Sequence, residues 1–446
     1  MRSILRAATA IAAMSALQAG HAHAQMPNQP IVSDSFGLNG QGGDFPAPGT
    51  VTVRFRARVL TEMGYSTDSG VVGKATNGQP NGSKNGGLYL GSSVRMYPGV
   101  DGTLANGLKY GGAIEMRVNS GGTAGSTANT VYVRRQFLYV SGGWGKTLVG
   151  QADGALTQLY NIGPIEKFDW NGTNNADTNN FANNNTVPTW PFWENGSAYV
   201  NNKIVYLTPN FMGLDAGVSF EPTATTGDTN CAQAASTGCP TQTSVPNNLI
   251  AVRRNTVELA ARYKGSIGPV AANIQIGYVG SGKVNSSANT AVNGTAAAVA
   301  KGLSVFDAGI TLAYAGITVG GHYIGGAINT DTGGGYGLLY KGQKNQNAFL
   351  VGAAYQYGAM TMGVNFQNQW SAGLYNSTAP ANNSMAHESS IGTGAAWDWA
   401  PGSTAYISGV YGKRHQVGVD LLNGVVGNYN NGVQSRRLVI GNVFRW

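Results

Sequence analysis

The chain has 446 residues, a formal net charge of +8 and a mean hydropathy of −0.14. Glycine supplies 66 residues, about twice the usual share of roughly 7%, and charged residues make up only 11%, against about 25% in ordinary soluble domains. This composition fits neither a charge-coated soluble globule nor a charged disordered tail, and beyond the N-terminus no apolar run reaches the roughly 20 residues of a membrane helix.

The N-terminal stretch MRSILRAATAIAAMSALQAGHAHAQ carries Arg2 and Arg6, then a short Ala-rich apolar run, then Ala22-His23-Ala24. This is the pattern of a secretory signal peptide, residues 1–24, cleaved before Gln25. A retained N-terminal anchor is the alternative, and the short apolar run fits it less well. Export argues against a nucleic-acid partner, which leaves anionic lipid or anionic solutes as what a scattered positive charge attracts. Residues 25–50, rich in Gly, Pro, Asn and Gln, read as an irregular lead-in, and residues 51–446 as one domain.

From residue 51 onward the pattern is that of strands. VTVRFRARVL (51–60) alternates Val53, Phe55, Ala57 and Val59 with Arg54, Arg56 and Arg58. Successive side chains of a strand point to opposite faces, so one face is oily and the other holds three guanidinium groups about 7 Å apart. Three arginines facing lipid would cost roughly 6–12 kcal/mol, at about 2–4 kcal/mol each near the midplane. Facing water, they stay solvated. The expected strands are 51–63, 87–98, 107–119, 130–141, 146–152, 198–208, 213–221, 255–265, 271–280, 303–314, 316–327, 347–357, 360–370, 387–399, 403–413 and 435–446, sixteen in all. Strand 87–98 sets Leu88, Leu90, Val94 and Met96 against Tyr89, Arg95 and Tyr97. Strand 107–119 sets Leu108, Tyr110, Ile114, Met116 and Val118 against Lys109, Glu115 and Arg117. In 130–141, Arg134 and Arg135 are adjacent and cannot share a face unless a bulge intervenes, and Arg135 is taken as the luminal one.

Connections alternate strictly between short and long. The short ones include PGVDG (98–102), GGWG (142–145), PNFMG (209–213), YAG (314–316), YGAM (357–360) and WAPGS (399–403). The long ones are 64–86, 120–129, 153–197, 222–254, 281–302, 328–346, 371–386 and 414–434, rich in Asn, Gly, Ser and Thr. In lipid every backbone polar group must be paired, which leaves helices or closed barrels. The alternation predicts an all-β fold, a transmembrane antiparallel up-and-down β-barrel with short periplasmic turns and long outer loops. A soluble sheet with one solvated face accounts for 51–60 alone but not for the rhythm of the connections. Within 222–254, Cys231 and Cys239 sit in CAQAASTGC. In an exported chain two close cysteines in a polar segment read as a loop disulfide, whereas a metal site would need more ligands and none lies between them. No cofactor is expected.

The chain ends RRLVIGNVFRW, with Leu438, Ile440, Phe444 and Trp446 on one side and Arg437 and Arg445 on the other. Gly441, Phe444 and the terminal Trp446 resemble the C-terminal signal by which the barrel assembly machinery recognises outer-membrane barrels. Here Trp replaces the usual Phe, and Val439 is apolar near a position usually polar. RRQFLYVSGGWGKTLVGQADGAL (134–156) is similar to the fourth strand, tight turn and fifth strand of the Gram-negative general porins, including their alphaproteobacterial members. YVNNKIVYLTPNFMGLDAGVSF (199–220) is similar to their sixth strand, turn and seventh strand, with Asn202, Tyr206, Pro209, Phe211 and Gly213 at matching spacing. The resemblance is carried by about 130–220 and the C-terminus, and elsewhere by strand rhythm.

The resemblance implies a sixteen-stranded, water-filled pore in the outer membrane, assembled as a homotrimer among outer-membrane lipid and passing small hydrophilic solutes and ions. In that family the loop after the fifth strand folds inward as a constriction loop. Here it is 153–197, with acids Asp153, Glu166, Asp169, Asp177 and Glu194, and PIEKF (164–168) resembles the family's Pro-Glu-Phe constriction motif with insertions. These acids would face wall arginines, the candidates being Arg54, Arg56, Arg58, Arg95, Arg117 and Arg135. Excess wall arginine points to anion preference. Tyr199 stands where relatives often place an Arg, so the basic ladder does not transfer in detail. The aromatic stretch PTWPFWENG of the same loop supplies groups that can pack against the wall instead, and each acid has an ordinary solvated role as its alternative.

Three other functions fit less well or equally. An outer-membrane barrel enzyme would need a nucleophile and base held together. His322, His387 and His415 stand on separate expected strands or loops, and no G-x-S-x-G or H-E-x-x-H motif occurs. An eighteen-stranded substrate-specific channel is equally compatible with the length. Adhesion through the long loops is the last.

Overall fold

The structure, a computed structural model, describes residues 45–69, 73–74, 80–81, 86–119, 130–159, 191–192, 201–223, 254–282, 284–285, 299–329, 339, 342–373, 386–421, 425–426 and 430–446. The signal peptide, most of the lead-in, Glu166, Asp169, Asp177, Glu194, Cys231 and Cys239 lie outside the described residues.

Sixteen strands close into one antiparallel barrel. In chain order they are β1 (Val51–Asp68), β2 (Gly86–Thr103), β3 (Lys109–Asn119), β4 (Thr130–Gly142), β5 (Gly145–Gln151), β6 (Asn202–Leu207), β7 (Leu214–Thr223) and β8 (Arg254–Ile267). Then follow β9 (Val270–Gly280), β10 (Ser304–Tyr314), β11 (Ile317–Gly326), β12 (Gln346–Tyr357), β13 (Met360–Ser371), β14 (Ala386–Ala400), β15 (Ser403–His415) and β16 (Gly432–Arg445). Each pairs with its chain neighbours, and β1 closes the cylinder against β16, from Arg58 opposite Arg445 to Asp68 opposite Ser435. Ala57 and Trp446 finish the seam with reciprocal backbone hydrogen bonds of 3.2 Å. The strand number is sixteen, so the eighteen-stranded alternative falls. No described helix is long and apolar enough to cross a membrane, and the crossing elements are strands.

All sixteen expected strands are present, with shifted ends. The largest departure is at PGVDG, read as a turn and in fact inside β2, which continues to Thr103; the turn lies at 104–108. Pro98 misled the reading because it cannot donate to a ladder. Here the β2–β3 ladder skips Tyr97 and Pro98, while the β1–β2 ladder runs on through Phe55 opposite Pro98. β1 likewise extends to Asp68 rather than 63. The YAG turn follows its chemistry: Ala315 and Gly316 have φ of 49° and 83°, the left-handed pair that a two-residue hairpin requires.

The alternation in each strand sorts side chains by medium. Val53 and Leu90 are 76% and 79% exposed on the outer face, whereas Arg58 and Arg95, on the inward face, are 1% and 2% exposed. Aromatic residues ring the outer face at two heights. Trp144, Phe211, Tyr314, Tyr357 and Trp397 lie near the short turns, and Phe220, Tyr278, Phe306, Tyr323 and Trp370 toward the long connections. Met360 lies opposite Trp397, and Trp370 lies about ten residues along the same strand. That run is about 33 Å of strand and about 25 Å of height at a tilt near 40°, the height of a lipid-facing band. Aliphatic residues such as Ile276, Val351, Val364, Ile391 and Ile440 fill the interval.

Facing is testable at one adjacent pair on β13. Val364 is 45% exposed on the outer face and Asn365 points inward between Gly352 and Gly392. Val364→Arg is expected to lower folding stability in lipid vesicles by about 2–4 kcal/mol. Asn365→Arg is expected to cost far less, because a luminal guanidinium stays hydrated. Urea unfolding of both variants checks the pair.

Candidate functional site

The inner wall is built from strands whose inward positions carry charge. Arg54, Arg56 and Arg58 of β1 all lie on that face, as do Arg95 of β2 and Arg117 of β3. Register then does something the sequence does not display. Arg445, Arg58, Arg95 and Arg117 stand directly opposite one another across β16, β1, β2 and β3. Opposed residues have Cβ atoms about 4.5–5.5 Å apart, and like charges so placed repel. Such a row persists only where water or carboxylates stand beside it.

Carboxylates do. Asp101 of β2 takes a two-pronged contact from Arg54, through Nε and through Nη2 at 2.9 Å, and also accepts from the Tyr139 hydroxyl. Glu115 of β3 is fully buried and is bound by three arginines: Arg117 at 2.6 Å, Arg134 at 3.0 Å, and Arg135. The adjacency of Arg134 and Arg135 is resolved by a bulge. Glu115 faces Arg135 and Met116 faces Val133, so Arg134 is the extra residue and both guanidinium groups reach the same carboxylate. Arg135 continues to Asp153, the first acid of the connection after β5.

Two tyrosines brace this wall in the same way. Tyr139, Gly111 and Asp101 lie in register on β4, β3 and β2, and the phenol crosses over the glycine to reach the acid. Tyr406, Gly441 and Glu62 repeat the arrangement on β15, β16 and β1, across the closing seam. Any side chain at Gly111 or Gly441 would collide with the ring. Gly441 therefore faces inward beneath Tyr406, while Phe444 and Trp446 face outward with centroids 5.7 Å apart.

After β5 the chain turns into the barrel. Helix α1 (Ala155–Gln158) rests on the inward faces of β7 and β8, where Ser219 Oγ accepts from the Ala155 N–H at 3.2 Å and Glu258 Oε2 from the Leu156 N–H at 3.1 Å. Gly277 on β9 leaves the space that Leu156 fills. Further along the same connection Phe192, within the aromatic stretch, is fully buried with its ring edge-on to His322 of β11 at 5.4 Å. His322 in turn bonds Asp307 at 2.8 Å, which accepts from Gln275 at 3.1 Å. On β6 and β7, Lys203 pairs with Glu221 at 3.2 Å. Farther round, Gln346, Gln369, Glu388 and Arg414 form a buried polar row across β12 to β15.

Of the acids named from sequence, Asp153 meets a wall arginine, and Glu166, Asp169 and Asp177 lie outside the described residues. Sequence reasoning missed Asp101, because a presumed turn hid it, and Glu258, which gives no signal until α1 lands on it. Of the histidines, His322 faces inward, and His387 and His415 face outward.

Removing the hub charge should be costly. Glu115→Gln leaves three buried arginines sharing a neutral amide and is expected to destabilise the barrel by about 3–5 kcal/mol. Loss of folded protein at lower urea than wild type, with Glu115→Asp less affected, checks this.

Several solved outer-membrane proteins share this fold. OmpT of Vibrio cholerae in its trimer form is 14% identical, covering 89% of this chain and all of that one, at a TM-score of 0.52. The outer membrane channel DcaP of Acinetobacter baumannii is 13% identical over 91% of this chain and all of that one, at 0.54. The anion-selective porin of Comamonas acidovorans is 16% identical over 89% and 100%, at 0.50. At such identity the likeness is one of fold. No curated protein matches the chain in sequence. The Gram-negative porin family profile, however, matches residues 7–415. The chain belongs to the Gram-negative porin family and is an outer-membrane channel for passive diffusion of small hydrophilic solutes.

Proposed function

We propose that this channel prefers anions, that the connection 153–197 narrows it, and that it works as a homotrimer without catalytic activity. The excess of wall arginines, with Arg54, Arg56 and Arg58 on β1 beside Arg95, Arg117 and Arg445, carries the ion preference, because charge of one sign on a channel wall biases which ion enters. An anion-selective porin among the structural relatives agrees with it.

The inward course of α1 and the contact of Phe192 with His322 support a narrowing segment between them. In this reading Asp153, Glu166, Asp169 and Asp177 oppose the wall set Arg54, Arg56, Arg58, Arg95, Arg117 and Arg135. Ser219 and Glu258 hold the root of the segment in place. A relative solved as a trimer supports the homotrimer. Gly441, Phe444 and Trp446 are proposed to serve as the assembly signal beside the seam, and Cys231 and Cys239 to close a loop disulfide.

Planar-bilayer recording in a salt gradient tests the ion preference. Wild-type channels are expected to give a reversal potential of anion-selective sign, and Arg54→Gln/Arg56→Gln/Arg58→Gln to shift it toward cations. A cation-selective wild type would sink the reading. Glu258→Gln is expected to loosen α1 and give noisier single-channel current at unchanged ion preference. Lipase and protease assays on the folded protein should give no turnover.

A further inference from the structure

Among the described residues of the sixteen strands, only Lys413 on β15 and Arg436 on β16 place a formal charge on the outer face. Their facing follows from register. Lys413 neighbours Arg414, which contacts Glu388 inside the barrel, and Arg436 lies opposite the outward Thr67 of β1. Both are exposed. They converge on one ring: Lys413 Nζ is 5.7 Å and Arg436 Cζ 5.9 Å from the Tyr411 centroid. The Tyr411 hydroxyl donates to Gln434 at 3.0 Å. Beside them on the same face, His387 of β14 and His415 of β15 stand directly opposite each other. The His387 ring stacks on Trp370 at 5.1 Å and its Nε2 contacts Asn368 Oδ1 at 2.8 Å.

The height of this cluster is defined by β16. Its outward apolar series Trp446, Phe444, Ile440 and Leu438 stops at Arg436, about ten residues and roughly 25 Å of height from the C-terminus. That is the thickness of the apolar band, so the cluster stands at its upper edge, on the side of the long connections, which face out of the cell. The described outer face holds no carboxylate, so neither this wall nor the same wall of a second copy supplies a counter-charge.

We propose that Lys413, Arg436 and His415 bind the phosphate of an outer-leaflet lipid headgroup, with Tyr411 as the floor of the site. Guanidinium and ammonium groups make charge-assisted hydrogen bonds to phosphate oxygens. The His415 imidazole offers a further ring N–H donor, while Asn368 Oδ1 holds Nε2 of the His387 ring opposite it, and Leu438, Ile440 and Ile407 directly below take the acyl chains. The site lies on the far side of the wall from the channel and is independent of its ion preference.

Binding of diphosphorylated lipid A, dephosphorylated lipid A and inorganic phosphate to the purified protein in detergent, read by native mass spectrometry, tests this. Wild type is expected to retain the diphosphorylated lipid at least tenfold better than the dephosphorylated one. Lys413→Gln/Arg436→Gln should weaken retention tenfold or more, at about fivefold per residue, with conductance unchanged. Lys413→Gln alone should lose about fivefold and serves if the double variant does not fold. Equal retention of dephosphorylated lipid, undiminished retention by the variants, or equally tight binding of inorganic phosphate would overturn the proposal. So would a variant that loses its oligomeric state but keeps its lipid, which would assign the face to contacts between copies.

Discussion

The structure depends on backbone closure. A strand set in lipid cannot leave its N–H and C=O groups unpaired, so the sheet must meet itself, and here β1 and β16 do so over eleven opposed pairs. Closure converts the two faces of each strand into two media. One face is fixed outward among apolar side chains and the other inward, and the period-2 alternation leaves no intermediate position. Glycine and small residues then become the means by which large inward groups are accommodated without bending the wall.

Charge inside such a cylinder has to be balanced locally. Four arginines in one row would repel, and Glu115 stands at one end of the row, bonded to Arg117, while Asp101 answers the nearby Arg54. Glu115 takes the largest share, and its three arginines require a bulge to reach it. The tyrosine–glycine–acid bridges couple this electrostatic lattice to the mechanical seam, because Tyr406 spans β15, β16 and β1 at the joint. The inward root of the connection after β5 is tied to the same lattice through Arg135 and Asp153. The proposed ion preference and barrel integrity thus draw on one set of residues. Among the described residues of the strands, the outer face by contrast carries formal charge only at Lys413 and Arg436, at the upper edge of the apolar band.

The strand segments and their facing were legible in the sequence because period-2 alternation and turn chemistry are local properties, whereas length left eighteen strands open and closure decided sixteen. The sixteen segments, the short and long connections and the inward turn of Arg54, Arg56 and Arg58 are all written in neighbouring residues. The conflict between Arg134 and Arg135 was legible too, as a need for a bulge. PGVDG was misread because proline and glycine carry the same local message in a turn and in an interrupted ladder. Only the partner strands distinguish the two.

The sequence by itself determined that this chain builds an exported-type barrel with an oily exterior and a cationic interior, since both follow from alternation within single strands. Tertiary structure decided which charges meet. The arginine row, the three-arginine grip on Glu115, the seating of α1 on Glu258 and the pairing of Lys413 with Arg436 over Tyr411 all depend on register between strands. Register is set by the closure of the whole cylinder, and no single segment contains it.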